Sequence, residues 1–320
     1  MQWVYNDDIE TIKVKMTNRR EVMKTKLGIN CGFAINRYME PEVWGQLVGE
    51  EFGLKSVQFV ADLLNPNMPD SYKKSYLERV LVAKELYGFD VDSIFTSAYT
   101  RINHLMHPDK EARKIYLDWF KRFFEMGAVL GAKSGGSHFG IMTFPTYDDV
   151  AKREYITNEA IKGWQELSFF AKDLGYECLI FEPMSVPREM GNTVEESLDL
   201  MNRVNASCGI PMRICLDTGH APHPQQRDPY PWLEKLGKFS PIVHLQQTVL
   251  HKSNHWPFTD EYNAQGIVHA DKVLDALEKG GCEETILMFE IGHREHWDTD
   301  FNIVADTKAS VDYWRQFVKD

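Results

Sequence analysis

The 320-residue chain has no apolar run approaching the roughly 18 residues that a membrane-spanning helix requires. Residues 1–18 carry Asp7, Asp8 and Glu10 and lack the apolar core of a secretory signal. A soluble, cytoplasmic protein with no membrane partner is expected. Cysteine is scarce: Cys31, Cys178, Cys208, Cys215 and Cys282 are odd in number and show no CxxC spacing. This argues against a disulfide framework or a paired-cysteine zinc site and predicts buried thiols in a reducing compartment.

Basic residues are also in deficit, with 36 Lys and Arg against 47 Asp and Glu, a formal net charge of -11. Such a surface repels a phosphate backbone at long range, so nucleic acid is not expected as a partner. No Ser/Gly/Pro-rich linker divides the chain, and no G-x-G-x-x-G follows the first predicted strand. A two-domain arrangement and a dinucleotide-binding loop both lose support.

What is present is alternation. Short runs rich in Val, Ile, Leu, Phe and Cys are separated by longer amphipathic segments, the pattern of βα units on a parallel sheet. Eight strands are predicted, at Leu27–Cys31, Ser56–Ala61, Val91–Phe95, Val129–Lys133, Cys178–Phe181, Arg213–Leu216, Ile242–Leu245 and Ile286–Phe289. Helices are predicted at Ser71–Tyr87, Lys110–Phe124, Thr157–Leu174, Asp271–Lys279 and Ala305–Val318, with a further one opened by a capping box at Thr193-Val-Glu-Glu196. Trp119, Trp164 and Trp314 fall within helices and read as packing residues. Eight such units in this length predict an α/β fold, a single (β/α)8 TIM barrel over residues 1–320, with 1–25 an extension ahead of strand one.

The later strands each end on a polar residue. Strand five is followed by Glu182, strand six by Asp217-Thr-Gly-His220, strand seven contains His244 before Gln246-Gln247, and strand eight is followed by Glu290. The C-terminal ends of barrel strands are where active sites form. One acidic residue after a strand is more often a helix N-cap. Three carboxylates and an imidazole at equivalent places repel one another unless a cation sits among them, which predicts one divalent metal ion: Mn²⁺, Mg²⁺, Co²⁺ or Zn²⁺.

Around this set, His138, Arg188, His220, Gln246, His255 and Trp256 are candidate substrate-binding residues. His138 follows Ser134-Gly-Gly-Ser, read as a flexible loop after strand four that lets backbone approach a ligand. Arg188 offers a guanidinium fork for phosphate or sugar oxygens, with Lys133 and the Gly135-Gly136 backbone as further phosphate contacts. Each has a plainer alternative, as a surface arginine, a turn or a loop anchor.

The segments Phe181-Glu182, Leu216-Asp217-Thr218-Gly219-His220, Val243-His244 and Phe289-Glu290 resemble the xylose isomerase-like barrel superfamily of sugar phosphate isomerases and epimerases. The resemblance implies Glu182, Asp217, His244 and Glu290 as ligands of one divalent metal, with Glu182 and Glu290 also the catalytic acid/base pair. It implies isomerisation or epimerisation of a small sugar or sugar phosphate through an enediolate. Epimerases of the tagatose type have an acidic residue and an arginine just after the strand-seven histidine, where Gln246-Gln247-Thr248 stands here. In that respect the chain is similar to tetrulose phosphate epimerases and D-apiose isomerases. The sequence does not choose between isomerisation and epimerisation and leaves homo-oligomer formation open. Alternative readings are an endonuclease-like barrel, a dehydratase barrel and a non-catalytic sugar-binding barrel.

Overall fold

The computed structural model describes residues 23–221, 228–293, 295 and 302–318. Its strands are β1 (Lys24–Asn30), β2 (Ser56–Val60), β3 (Asp90–Phe95), β4 (Ser134–His138), β5 (Cys178–Glu182), β6 (Met212–Asp217), β7 (Ile242–Leu245) and β8 (Glu284–Phe289). They form a closed barrel in sequence order. Every pairing is parallel, and β1 lies against β8 from Lys24↔Glu284 to Ile29↔Phe289. The fold is the (β/α)8 barrel expected from the alternation.

The helices that cover the strands begin and end on local chemistry. Asp109 and Asp149 accept hydrogen bonds from the first backbone amides of Lys110–Leu130 and Val150–Asp173. Gly88 and Gly131 close the helices Asp70–Tyr87 and Lys110–Leu130 in the left-handed region, at φ 70° and 89°. At the predicted capping box, Thr193 accepts from the Glu196 amide, but the Glu196 carboxylate reaches back to the Asn192 amide, one residue further than expected. Trp119, Trp164 and Trp314 are buried, as their helical spacing implied. All five cysteines are free thiols; Cys31, Cys215 and Cys282 are buried, whereas Cys178 and Cys208 are half-buried.

The fourth strand lies elsewhere than predicted. Val129 and Leu130 end the helix Lys110–Leu130, and β4 is Ser-Gly-Gly-Ser-His, the segment read as a loop. The apolar run was the last turn of an amphipathic helix, with Leu130 buried and Val129 exposed. β4 is glycine-rich because its neighbours leave no room. A Cβ at Gly136 would overlap the Ile180 carbonyl oxygen, and one at Gly135 would stand 2.7 Å from the Phe124 ring. The two glycines therefore serve strand packing rather than ligand approach.

Residues 1–22 lie outside the described residues, and with them nearly all of the predicted extension; β1 begins at Lys24. No described helix is long and apolar enough to cross a membrane.

Candidate active site

Parallel register sets the four polar residues at one level of the barrel rim. Asp217 pairs with His244 across β6 and β7, and His138 with Glu182 across β4 and β5. Glu290 follows β8 and donates its amide to the Leu245 carbonyl. One donor atom from each of Glu182, Asp217, His244 and Glu290 lies within 4.8 Å of all the others. His244 sits between two carboxylates, its Nδ1 3.2 Å from Glu182 Oε1 and 3.2 Å from Glu290 Oε2.

The orientation of His244 is fixed from below. Its Nε2 lies 2.7 Å from Gln58 Oε1, and that same oxygen accepts from Asn30 Nδ2 at 2.7 Å. The amide oxygen is thus an acceptor, so His244 Nε2 donates. A neutral His244 then turns the Nδ1 lone pair toward two carboxylates. That arrangement is repulsive unless a proton or a metal ion occupies the space between them.

The protein's own charges show the same strain. Burial by itself would disfavour charge on His244, yet the neighbouring Cys215 and Glu290 raise its pKa well above the ordinary value. Burial also opposes charge on His220, but Asp217 and Glu182 raise it to about 9. The Glu182 carboxyl, which burial would raise, is held low by His220 and His244. Glu290 is brought to about 2 by His244 against the same burial, and burial pushes Asp217 up to about 6.

These residues fit a divalent cation. Asp217 Oδ1 accepts from the Gly219 amide at 2.5 Å and from Gln246 Nε2 at 2.8 Å, while Oδ2 is buried with no hydrogen-bond partner. Glu290 Oε2 is likewise buried and unbonded. Two orphaned carboxylate oxygens and a lone pair facing the same point make a donor set for an oxygen- and nitrogen-binding ion.

Above the cluster opens a cavity of about 510 Å³. Glu182 and Glu290 line it from β5 and β8, together with Asn30, Thr96, Arg101 and Asn254 among others. Of the candidate binding residues, His138, His220 and His255 line it. His138 nevertheless has both nitrogens engaged, Nε2 with the Ile102 carbonyl at 2.9 Å and Nδ1 with Ser137 Oγ at 3.1 Å. Burial lowers its imidazole to about 4, and the nearby charge of Arg101 adds to that, so the ring lines the cavity in its neutral form. His255 Nδ1 lies 3.1 Å from the Glu290 carbonyl and its Nε2 3.2 Å from Gln246 Nε2. Gln246 is fully buried, is not among the cavity-lining residues, and donates to Asp217.

Two predicted binding residues are placed elsewhere. Arg188 donates to the Met142 carbonyl and lies over the Phe144 ring at 4.2 Å, outside the cavity lining. Trp256 stacks on Tyr262 at 4.8 Å and bridges Gln247 through the backbone, anchoring its own loop. Three contributors escaped sequence reasoning. Gln58 and Asn30 had a detectable mark, a polar side chain at or inside a strand otherwise buried on both faces. Arg101, in the loop after β3, had none that separates it from a surface arginine.

Comparison with known proteins agrees with this fold. The profile of the xylose isomerase-like TIM barrel family matches residues 48–317. D-erythrulose 1-phosphate 3-epimerase of Brucella abortus (strain 2308) is 33% identical over 297 residues, covering 91% of this chain and 96% of that protein. A putative xylose isomerase from Rhodospirillum rubrum superposes with a TM-score of 0.83 at 27% identity, over 92% of this chain and all of the other. D-psicose 3-epimerase from Clostridium cellulolyticum H10 shares the fold, with a TM-score of 0.68 at 14% identity, over 92% of this chain and all of that one. With the barrel closed, the rim carboxylates converged and most of the chain matched, the protein belongs to the xylose isomerase-like TIM barrel family.

Proposed function

We propose that this enzyme epimerises a short ketose, free or phosphorylated, at the carbon beside the carbonyl, using one divalent metal ion held by Glu182, Asp217, His244 and Glu290. The single observation that carries the reading is the pair Glu182 and Glu290. They stand at the end of β5 and just after β8, on either side of His244, and both line the same cavity. Carboxylates on different walls can address the two faces of one carbon.

The reaction removes a proton whose acidity is far below that of a carboxylic acid. A divalent ion at the cluster would supply Lewis-acid polarisation of the carbonyl and its adjacent hydroxyl, which lowers that barrier. Everything else falls to the chain. One glutamate, ionised, takes the proton and gives an enediolate; the other must enter the step as the carboxylic acid, gives its proton to the opposite face of the same carbon, and the two have then exchanged protonation states. His220, 3.1 Å from Glu182 Oε1, keeps that carboxylate ionised and aimed. His255 holds the Glu290 backbone through its carbonyl. The similarity to an erythrulose-phosphate epimerase supports inversion at the carbon beside the carbonyl rather than carbonyl migration.

Incubation with D-erythrulose 1-phosphate and a panel of free ketoses in heavy water tests the reading. The expected product carries one deuterium at the inverted carbon, followed by proton resonance. Metal-loaded Glu182→Gln and Glu290→Gln should each lose net conversion, and one face can still exchange. A metal-loaded variant of either kind that converts substrate at the wild-type rate removes that glutamate from the proton path. Treatment with a chelator should abolish turnover and Mn²⁺, Co²⁺ or Mg²⁺ should restore it; full activity in a verified metal-free sample sinks the metal assignment.

A further inference from the structure

We propose that Arg101 is the anchor for the phosphate group of a phosphorylated ketose, so that the cavity selects the ester over the free sugar. The inference rests on the epimerase reading above and deepens it.

Two cationic side chains with permanent charge line the cavity among the described residues, Arg37 and Arg101. Arg37 is already engaged. Its Nε pairs with Glu295, Nη1 donates to the Phe33 carbonyl at 3.2 Å, and Nη2 to the His293 carbonyl at 2.5 Å. All three nitrogens tie the loop after β1 to the loop after β8.

Arg101 is held differently. Nε, at 3.1 Å, and Nη2 both donate to a single oxygen of Glu189, whose side chain is only 8% exposed. The buried carboxylate fixes one edge of the guanidinium. Nη1 has no partner among the described residues, so the edge formed by Nη1 and the second hydrogen of Nη2 is left open. That edge is a planar pair of donors with the geometry of a bidentate phosphate contact. At 39% side-chain exposure, the fork remains within reach of a ligand in the cavity.

The adjoining arginine is excluded by the same loop. Arg188 and Glu189 are neighbours in sequence and point apart: Glu189 to Arg101, Arg188 to the Met142 carbonyl and the Phe144 ring. A phosphate also brings about -1.5 to -2 charge, which the cavity's acidic floor repels. The open fork is the permanent cation positioned to offset this.

The test compares the ratio of kcat/KM for D-erythrulose 1-phosphate to that for D-erythrulose in wild type, Arg101→Gln and Arg188→Ala. The wild type should prefer the ester. Arg101→Gln should reduce the ratio ~30-fold, mainly through KM of the ester, as loss of a charge-assisted bidentate contact implies. Arg188→Ala should keep the wild-type ratio. A wild type without preference, or an unchanged ratio in Arg101→Gln, overturns the proposal, as does an equal fall in Arg188→Ala. Should Arg101→Gln fail to fold, Arg101→Lys carries the test, since it keeps the charge and loses the fork; its ratio should fall ~10-fold. Turnover of neither compound would refute the epimerase reading separately. Calorimetry with inorganic phosphate then decides the anchor alone: saturable binding that Arg101→Gln abolishes supports it, and its absence in wild type refutes it.

Discussion

At the scale of single residues, the site depends on side chains that never meet the ligand. Gln58 accepts from His244 Nε2 and thereby decides that Nδ1 faces the carboxylates. Gln58→Leu removes that acceptor while keeping similar bulk, and should weaken metal retention ~10- to 100-fold. A competition titration against a coloured chelator measures this; unchanged retention would show that packing alone aims the ring. The legible and illegible residues divide by the same logic. Glu182, Asp217, His244 and Glu290 could be named because they recur at the ends of four successive strands, where any one alone would read as a helix N-cap or a loop residue. The sequence singles out Arg188 and passes over Arg101, because loop arginines carry no periodicity that would rank them. Their placement separates them: Arg101 lines the cavity, held by Glu189, and Arg188 turns away to the Met142 carbonyl and the Phe144 ring.

At the scale of elements, seven of the strands were legible because burial on both faces enforces apolar composition. β4 was not, since its constraint is steric rather than hydrophobic. Glycine there is demanded by Ile180 and Phe124, and a strand of Ser, Gly and His has no apolar pattern to read. This has a measurable consequence. Gly136→Ala forces a Cβ into the Ile180 carbonyl and should cost at least ~3 kcal/mol or prevent folding. Gly88→Ala, with no atom within 4 Å of the added Cβ but φ of 70°, should cost only ~1 kcal/mol. Urea denaturation of the two variants distinguishes them. Comparable losses would mean that β4 accommodates the added methyl group.

At the scale of the whole molecule, four donors from four strands meet only when the barrel is closed, so an ion bound there stabilises the folded state alone. Saturating Mn²⁺ at a hundred times its dissociation constant should raise the unfolding free energy by ~2.7 kcal/mol, and Asp217→Asn should reduce that gain. Identical denaturation midpoints with and without Mn²⁺ would exclude linkage. The distribution of tasks around the ring has a further meaning. Every residue proposed to hold the ion or move a proton comes from β5 to β8 or the residue just after, whereas Asn30, Gln58 and Arg101 come from β1, β2 and the loop after β3. On the proposed reading the barrel divides into two half-wheels, β5 to β8 carrying the residues assigned to the reaction and β1 to β3 those assigned to aiming the imidazole and choosing the ligand. On that reading, change at Arg101 would retune what the enzyme accepts, whereas change at Gln58 would also loosen the ion.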